Sequence, residues 1–231
     1  MAGERLEIDH LVLGVDDLDA AADVLLDRHG LVALPGGRHP AWGTANRVVP
    51  LGPTYLELVT VVDPVVAAGS AFGSWVADMA AARSGWGWAV RTHAMRTTAA
   101  RLGLEIVPGS RVAPDGTRLR WRLAGVPTVG SDRTLPFFIS WDEGTPLPGS
   151  VRADHRVSGV RLAALTVETD PDRLARWLGA SAQPAHALPV DAQPADVLSS
   201  GVALDMVPGD RGIVALDIRT DSGVIRLAPP S

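Results

Sequence analysis

Short segments rich in Val, Ile and Leu alternate along this chain with stretches of helical period, and the alternation runs through three times. The first pass opens with a strand over Leu6 to Val15, placing Ile8, His10 and Val12 on one face and Leu11, Leu13 and Val15 on the other. Both faces are largely apolar, so both are expected to be covered. Asp16 or Asp17 caps a helix whose positions Leu18, Ala21, Ala22, Leu25 and Leu26 follow the 3.6 period, and Gly30 ends it in the position of a left-handed cap. Leu31 to Leu34, Asn46 to Leu51 and Thr54 to Val62 supply three more strands, the first two separated by a loop over Gly36 to Thr44, and Asp63-Pro64 closes the unit.

A helix over Ala71 to Arg83 follows, with Phe72, Trp75, Val76 and Met79 on its apolar side. The second pass has a strand at Trp86 to Thr92, a helix from about Ala94 to Leu102 stopped by Gly103, and strands near Leu104 to Val107, Thr117 to Leu123 and Pro136 to Trp141. Asp115-Gly116 is a hairpin signal between two of them. The third pass begins with a strand at Val160 to Glu168 and a helix capped by Asp170, with Pro171 at its first position and Leu174, Trp177 and Leu178 on its buried side. Ser181 to Gly201 is rich in Ala and Pro without a period and reads as a loop. Strands at Val202 to Val207, Ile213 to Arg219 and Val224 to Leu227 finish the chain, the last two joined by a turn at Asp221-Ser222-Gly223. The chain thus divides into a βαβββ module over residues 1–64, a connecting helix over 65–84, a second module over 85–150 and a third, partial βαββ module over 151–231.

Composition narrows what this framework can do. The chain has 231 residues, an apolar fraction of 46% and a charged fraction of 20%, enough to bury a substantial core. A net charge of −5 with no basic stripe argues against nucleic acid as a partner. No apolar run approaches about 18 residues and no leader pattern opens the chain, so no membrane span or signal peptide is expected and the location is read as cytoplasmic. There is no Cys, which removes thiolate and disulfide chemistry, and no Lys, which removes a P-loop lysine, a Schiff base and a lysine general base. Gly-x-Ser-x-Gly and His-x-x-x-His patterns are missing, and Gly85-x-Gly87 lacks the third glycine of a dinucleotide loop, so no nucleotide cofactor is expected.

Two residues stand where a strand interior should refuse them: His10 in the first strand and Glu57 in the fourth. Around them, Asp9-His10, Gly36-Gly37-Arg38-His39-Pro40, Thr44-Ala45-Asn46 and Tyr55-Leu56-Glu57-Leu58 carry a resemblance to the glyoxalase-like domain of the vicinal oxygen chelate superfamily. Pro114-Asp115-Gly116 with Leu119-Arg120-Trp121, and Leu135 to Trp141, extend it over most of the chain. The resemblance implies an α+β fold in which βαβββ modules form curved, mostly antiparallel sheets around a cup. It also implies a lyase, isomerase or dioxygenase acting on a small organic molecule, and association into a homodimer. A superfamily member that only sequesters its ligand, or a dimerising module with a vestigial cup, are the alternatives.

In such a module the first and fourth strands are neighbours, so His10 and Glu57 would converge in the cup as acid/base groups or as ligands of a divalent metal, Zn, Mn, Fe or Ni. A self-satisfied His–Glu pair is the alternative. Relatives take further ligands from the second module, but the positions matching His10 and Glu57 are Gly87 and the stretch Phe138-Ile139-Ser140. Relatives also carry a His soon after the second module's last strand, where this chain has Leu147, with Asp142 or Glu143 as possible substitutes. His39, in a loop shaped by glycines and proline, is a third candidate for catalysis, and Arg38, Trp42, Asn46 and Trp141 are candidate substrate contacts. Trp42, Trp86, Trp88 and Trp141 are expected to line the pocket, with Trp75, Trp121 and Trp177 in the core.

Overall fold

The computed structural model describes residues 6–82, 85–179 and 201–229. The first unit consists of β1 (Leu6–Gly14), α1 (Leu18–His29), β2 (Leu34–His39), β3 (Thr44–Leu51) and β4 (Thr54–Val61). Asp17 caps α1 by accepting from the Asp19 and Ala20 amides, and Gly30 closes it in the left-handed conformation, as the sequence predicts. The predicted loop over Gly36 to Thr44 is half strand. β2 runs to His39 and pairs with β3 apart from Gly36, an extra residue in the ladder, and the turn covers residues 40–43.

Two short elements not legible in the sequence, α2 (Pro64–Ala68) and α5 (Val126–Ser131), flank the predicted ones. Between them come α3 (Ala71–Ala82), β5 (Trp86–Thr92), α4 (Met95–Leu102), β6 (Ile106–Val112) and β7 (Arg118–Ala124), and β8 (Phe137–Trp141) follows α5. The eight strands form one sheet in the order β2-β3-β4-β1-β5-β8-β7-β6. β1 pairs in parallel with β4 and β5 in parallel with β8, and every other pairing is antiparallel. The two units therefore repeat one connection scheme about the central β1–β5 contact. The sheet curls until its outer strands β2 and β6 touch, so its concave side becomes a nearly closed cup.

The remaining strands, β9 (Arg161–Glu168), β10 (Ala203–Val207), β11 (Gly212–Thr220) and β12 (Gly223–Leu227), form a second sheet in the order β10-β9-β11-β12. Here β9 and β10 pair in parallel. The connection from β9 includes α6 (Pro171–Leu178), capped by Asp170 with Pro171 at its start. This strand order differs from that of the first two units. The loop expected over Ser181 to Gly201 lies almost wholly outside the described residues.

Opposed residues of paired strands share a face, which fixes what points into the cup. His10 opposes Tyr55 and Ala89, Val12 opposes Glu57, and Trp121 opposes Trp141. The other face carries Leu11, Leu56, Trp88 and Phe138, all fully buried. The first two helices of the repeated scheme, α1 and α4, and the second sheet cover it. Helix α3 lies on the concave side instead. Its apolar residues are the predicted Phe72, Trp75, Val76 and Met79, and Trp75 occupies the space where a Cβ at Gly87 would stand, 2.3 Å from the ring. No described helix is long and apolar enough to cross a membrane.

Candidate functional site

Strand β1 does not keep its period. Between Ile8, opposite Val90, and His10, opposite Ala89, Asp9 is an extra residue in the ladder. This bulge corrects the predicted faces: Ile8 joins Leu11 and Leu13 on the far side, and the Asp9 carboxylate lies beside the His10 ring. Asp9 Oδ1 is 2.7 Å from His10 Nδ1, while its Oδ2 accepts from Trp141 Nε1 at 3.0 Å and from Arg91 at 3.4 Å. An ionised carboxylate can only accept, so Nδ1 carries the proton and the Nε2 lone pair is left free. Asp9 is 1% exposed and His10 3%. Arg91 also binds Glu7, so this buried charge sits in a satisfied network.

Across the cup, Glu57 Oε1 accepts from Asn46 Nδ2 at 2.6 Å, and Glu57 Oε2 lies 3.6 Å from His10 Nε2. That separation is too long for a hydrogen bond, so the two groups face each other with lone pairs free. The self-satisfied His–Glu pair is not what forms: the partners of His10 and Glu57 are Asp9 and Asn46. Asn46 Oδ1 is buried without a partner among the described residues, held where a Cβ at Gly36 would come within 2.0 Å of it. The Tyr55 ring stacks on His10 with centroids 4.5 Å apart. Burial, then the negative charges of Asp9 and Glu57, raise its phenol well above the usual value, so it remains a donor.

His39 also faces the cup, with Nδ1 2.9 Å from Thr44 Oγ1 and its ring among Trp42, Phe72 and Trp121. Burial, reinforced by the positive charge of Arg111, holds its pKa down to about 3. It is neutral at ordinary pH and a poor proton acceptor, suited to orienting a ligand. Arg111 is the residue that sequence reasoning missed. It reaches in from β6, is 7% exposed, and donates from Nη1 to the Gly36 carbonyl at 2.6 Å. The predicted Arg38 is exposed and lies away from the cup.

Trp42, Asn46 and Trp141 line the cup as predicted, joined by Trp121, Phe72 and Phe137. Trp86 and Trp88 do not, because their register with Leu13 and Leu11 turns them to the other face. From β8, Phe137, Ile139 and Trp141 face the cup, and after it, among the described residues, Pro148 does. Asp142 ion-pairs with Arg122 at 2.9 Å and Glu143 is exposed, so neither reaches the cup. The free core of the cup measures about 30 Å³, room for about two waters. Trp42, Phe72 and Leu123 separate it from a neighbouring cavity of about 620 Å³.

For a divalent metal, the donors facing the cup are His10 Nε2 and Glu57 Oε2. Their 3.6 Å separation suits two ligands of a tetrahedral ion, but two donors leave such a site incomplete. Among the described residues no group of three His, Asp or Glu converges as a metal site. Asp9 is on the wrong side of the imidazole, and a buried guanidinium shares the cavity. This donor set does not fit a closed divalent site.

The glyoxalase-like domain family model matches residues 8–182. A hypothetical protein from Staphylococcus aureus superposes with a TM-score of 0.63 at 14% identity, covering 97% of this chain and 100% of that one. Methylmalonyl-CoA epimerase from Mycobacterium tuberculosis gives 0.39 at 18% identity, over 58% of this chain and 86% of that one. The Streptomyces coelicolor epimerase in complex with 2-nitronate-propionyl-CoA gives 0.43 at 16%, over 62% and 100%. No curated protein matches the chain.

Proposed function

The chain belongs to the glyoxalase-like domain family, and from that premise we propose that it is an enzyme of proton transfer at carbon, an isomerase or lyase that enolises a small organic substrate in the cup. The observation that carries this reading is the buried His10, held by Asp9 and facing Glu57 across 3.6 Å. A proton leaving a substrate carbon next to a carbonyl would be taken by His10 Nε2 or Glu57 Oε2. The C–H electron pair passes to the carbonyl oxygen as an enolate, and return of the proton to carbon completes an isomerisation. An imidazolium formed in this way lies between two carboxylates, which lowers the cost of holding the proton. The Tyr55 phenol is a donor available to the developing oxyanion. No step is routed through a metal, and the dioxygenase branch of the resemblance is not needed.

The test is deuterium incorporation from solvent, followed by proton NMR across a panel of oxo acids and hydroxyketones. The wild-type protein is expected to exchange the carbon-bound proton of at least one of them. Glu57→Gln, which keeps the bond from Asn46, is expected to slow this by roughly 10² to 10⁴ with the thermal midpoint little changed. Unchanged exchange in that variant would remove Glu57 from the mechanism. The aromatic wall favours one other reading, ligand retention without turnover. Saturable quenching of tryptophan fluorescence by a panel member that never exchanges would support it.

A further inference from the structure

The reading above leaves the substrate undefined, and Arg111 narrows it. A guanidinium presents five N–H donors. Arg111 spends one on the Gly36 carbonyl and has no carboxylate within 4.0 Å among the described residues. The acids nearest the reacting groups are committed elsewhere, Asp9 to His10, Trp141 and Arg91, and Glu57 to Asn46. Glu57 and, beyond it, the exposed Asp115 act on Arg111 through their fields and not through a contact. A cation 93% buried that lines the cup with one of its donors bonded is costly to fold unless something of opposite charge comes to it.

We propose that Arg111 anchors a carboxylate of the substrate, so that, resting on the proton-transfer reading, the enzyme acts on small carbon acids bearing a carboxylate close to the acidic C–H. The planar fork of the guanidinium matches a carboxylate in a two-point bond. The competing role for Arg111 is a clasp between the outer strands β2 and β6, which needs only the Nη1 bond to Gly36.

The experiment is titration calorimetry with malonate, inorganic phosphate and the neutral analogue malonamide on four proteins: wild type, Arg111→Met, Arg111→Lys and Glu57→Gln. Malonate is expected to bind the wild type saturably and the Met variant roughly 10- to 100-fold more weakly. The Lys variant, which keeps a charge and one donor for Gly36, should fall between them, and Glu57→Gln should bind malonate at least as well as wild type. Malonamide should not bind. If Arg111→Met does not fold, the Lys variant carries the comparison, with a loss of at least about 5-fold expected from replacing a two-point bond by a point charge. Absent malonate binding to the wild type, equal affinity in the folded Arg111 variants, or phosphate binding as tightly as malonate would each overturn the proposal. Carboxylate binding lost with Arg111, in a protein that exchanges no carbon acid, would sink the proton-transfer reading and leave the anchor standing. Exchange that survives in Arg111→Met with unchanged malonate affinity would do the reverse.

Discussion

His39 makes the cup sensitive to acid in a way that can be isolated. Its pKa in the folded protein is about 3, against 6.5 for the ordinary side chain, because burial and then the Arg111 charge disfavour the imidazolium. Between those values the unfolded chain binds a proton that the folded one refuses, so unfolding becomes easier as pH falls. The contribution is full above about 6.5, is lost progressively below it, and stops changing near 3, where the folded state protonates too. Each pH unit inside the window is worth about 1.4 kcal/mol, so moving from pH 7.5 to 5.0 removes about 2 kcal/mol through His39 alone. The assay is urea unfolding of wild type and His39→Asn at both pH values. Asn places an amide near the Thr44 hydroxyl that faces Nδ1, and whatever stability it loses through ring packing is common to both conditions. Every carboxylate that titrates in this range does so in both proteins, so the difference of differences reports His39. Wild type should lose about 2 kcal/mol more than the variant. Equal losses would mean that His39 is protonated or solvated in the folded protein, and the description of a buried neutral imidazole beside a buried cation would fail.

Gly36→Ala puts a methyl group 2.0 Å from Asn46 Oδ1 and 2.6 Å from the Asn46 carbonyl. The backbone atom cannot swing away, so a stability loss of about 2 kcal/mol is expected, with a larger loss of exchange activity because Asn46 is pushed off Glu57; chemical denaturation and the deuterium assay read the two. Trp141→Phe deletes the 3.0 Å bond to Asp9 Oδ2 while keeping most of the aromatic wall. It should cost about 1–3 kcal/mol of stability and lower exchange without changing malonate affinity, and weaker malonate binding there would place Trp141 at the anion.

The convergence of His10 and Glu57 was legible through the module that the motifs around them resemble, in which the first and fourth strands are neighbours; connection order alone does not impose it, since β9 to β12 share that order and leave the first strand between the second and third. Of the predicted partners of this pair, Arg38, Trp86 and Trp88 fall outside the cup, and register decides each of them. Trp86 and Trp88 sit on a strand that borders the cup, and alternation alone cannot say which of its two apolar faces turns inward. Trp121, expected in the core, lines the cup from a strand whose flanking Arg120 and Arg122 are exposed. Arg38 is a candidate through its place beside His39 in the glycine- and proline-shaped segment, and nothing local in the sequence marks Arg111. Proximity along a strand is misleading, because neighbours at i and i+1 point to opposite faces. With His39 turned into the cup, Arg38 had to turn out.

Arg111 and Asp9 share a deeper reason for having been hidden. Arg111 belongs to the second unit and reaches Gly36 of the first across the seam where β2 meets β6, a contact 75 residues apart in the chain that exists only because the sheet curls shut. Asp9 enters the cup through the extra residue in β1, and Gly36 is likewise an extra residue in β2, between Pro35 opposite Arg47 and Gly37 opposite Asn46. Bulges break the period of two on which strand reading rests, so the residues they re-aim are those that alternation assigns to the wrong face. In this molecule one bulge delivers the carboxylate that fixes the histidine, and the other delivers the carbonyl that steadies the arginine. The signal was present in composition if not in period. An Asp directly before a strand His, and paired glycines before a second His, are residues that a regular strand has no reason to keep.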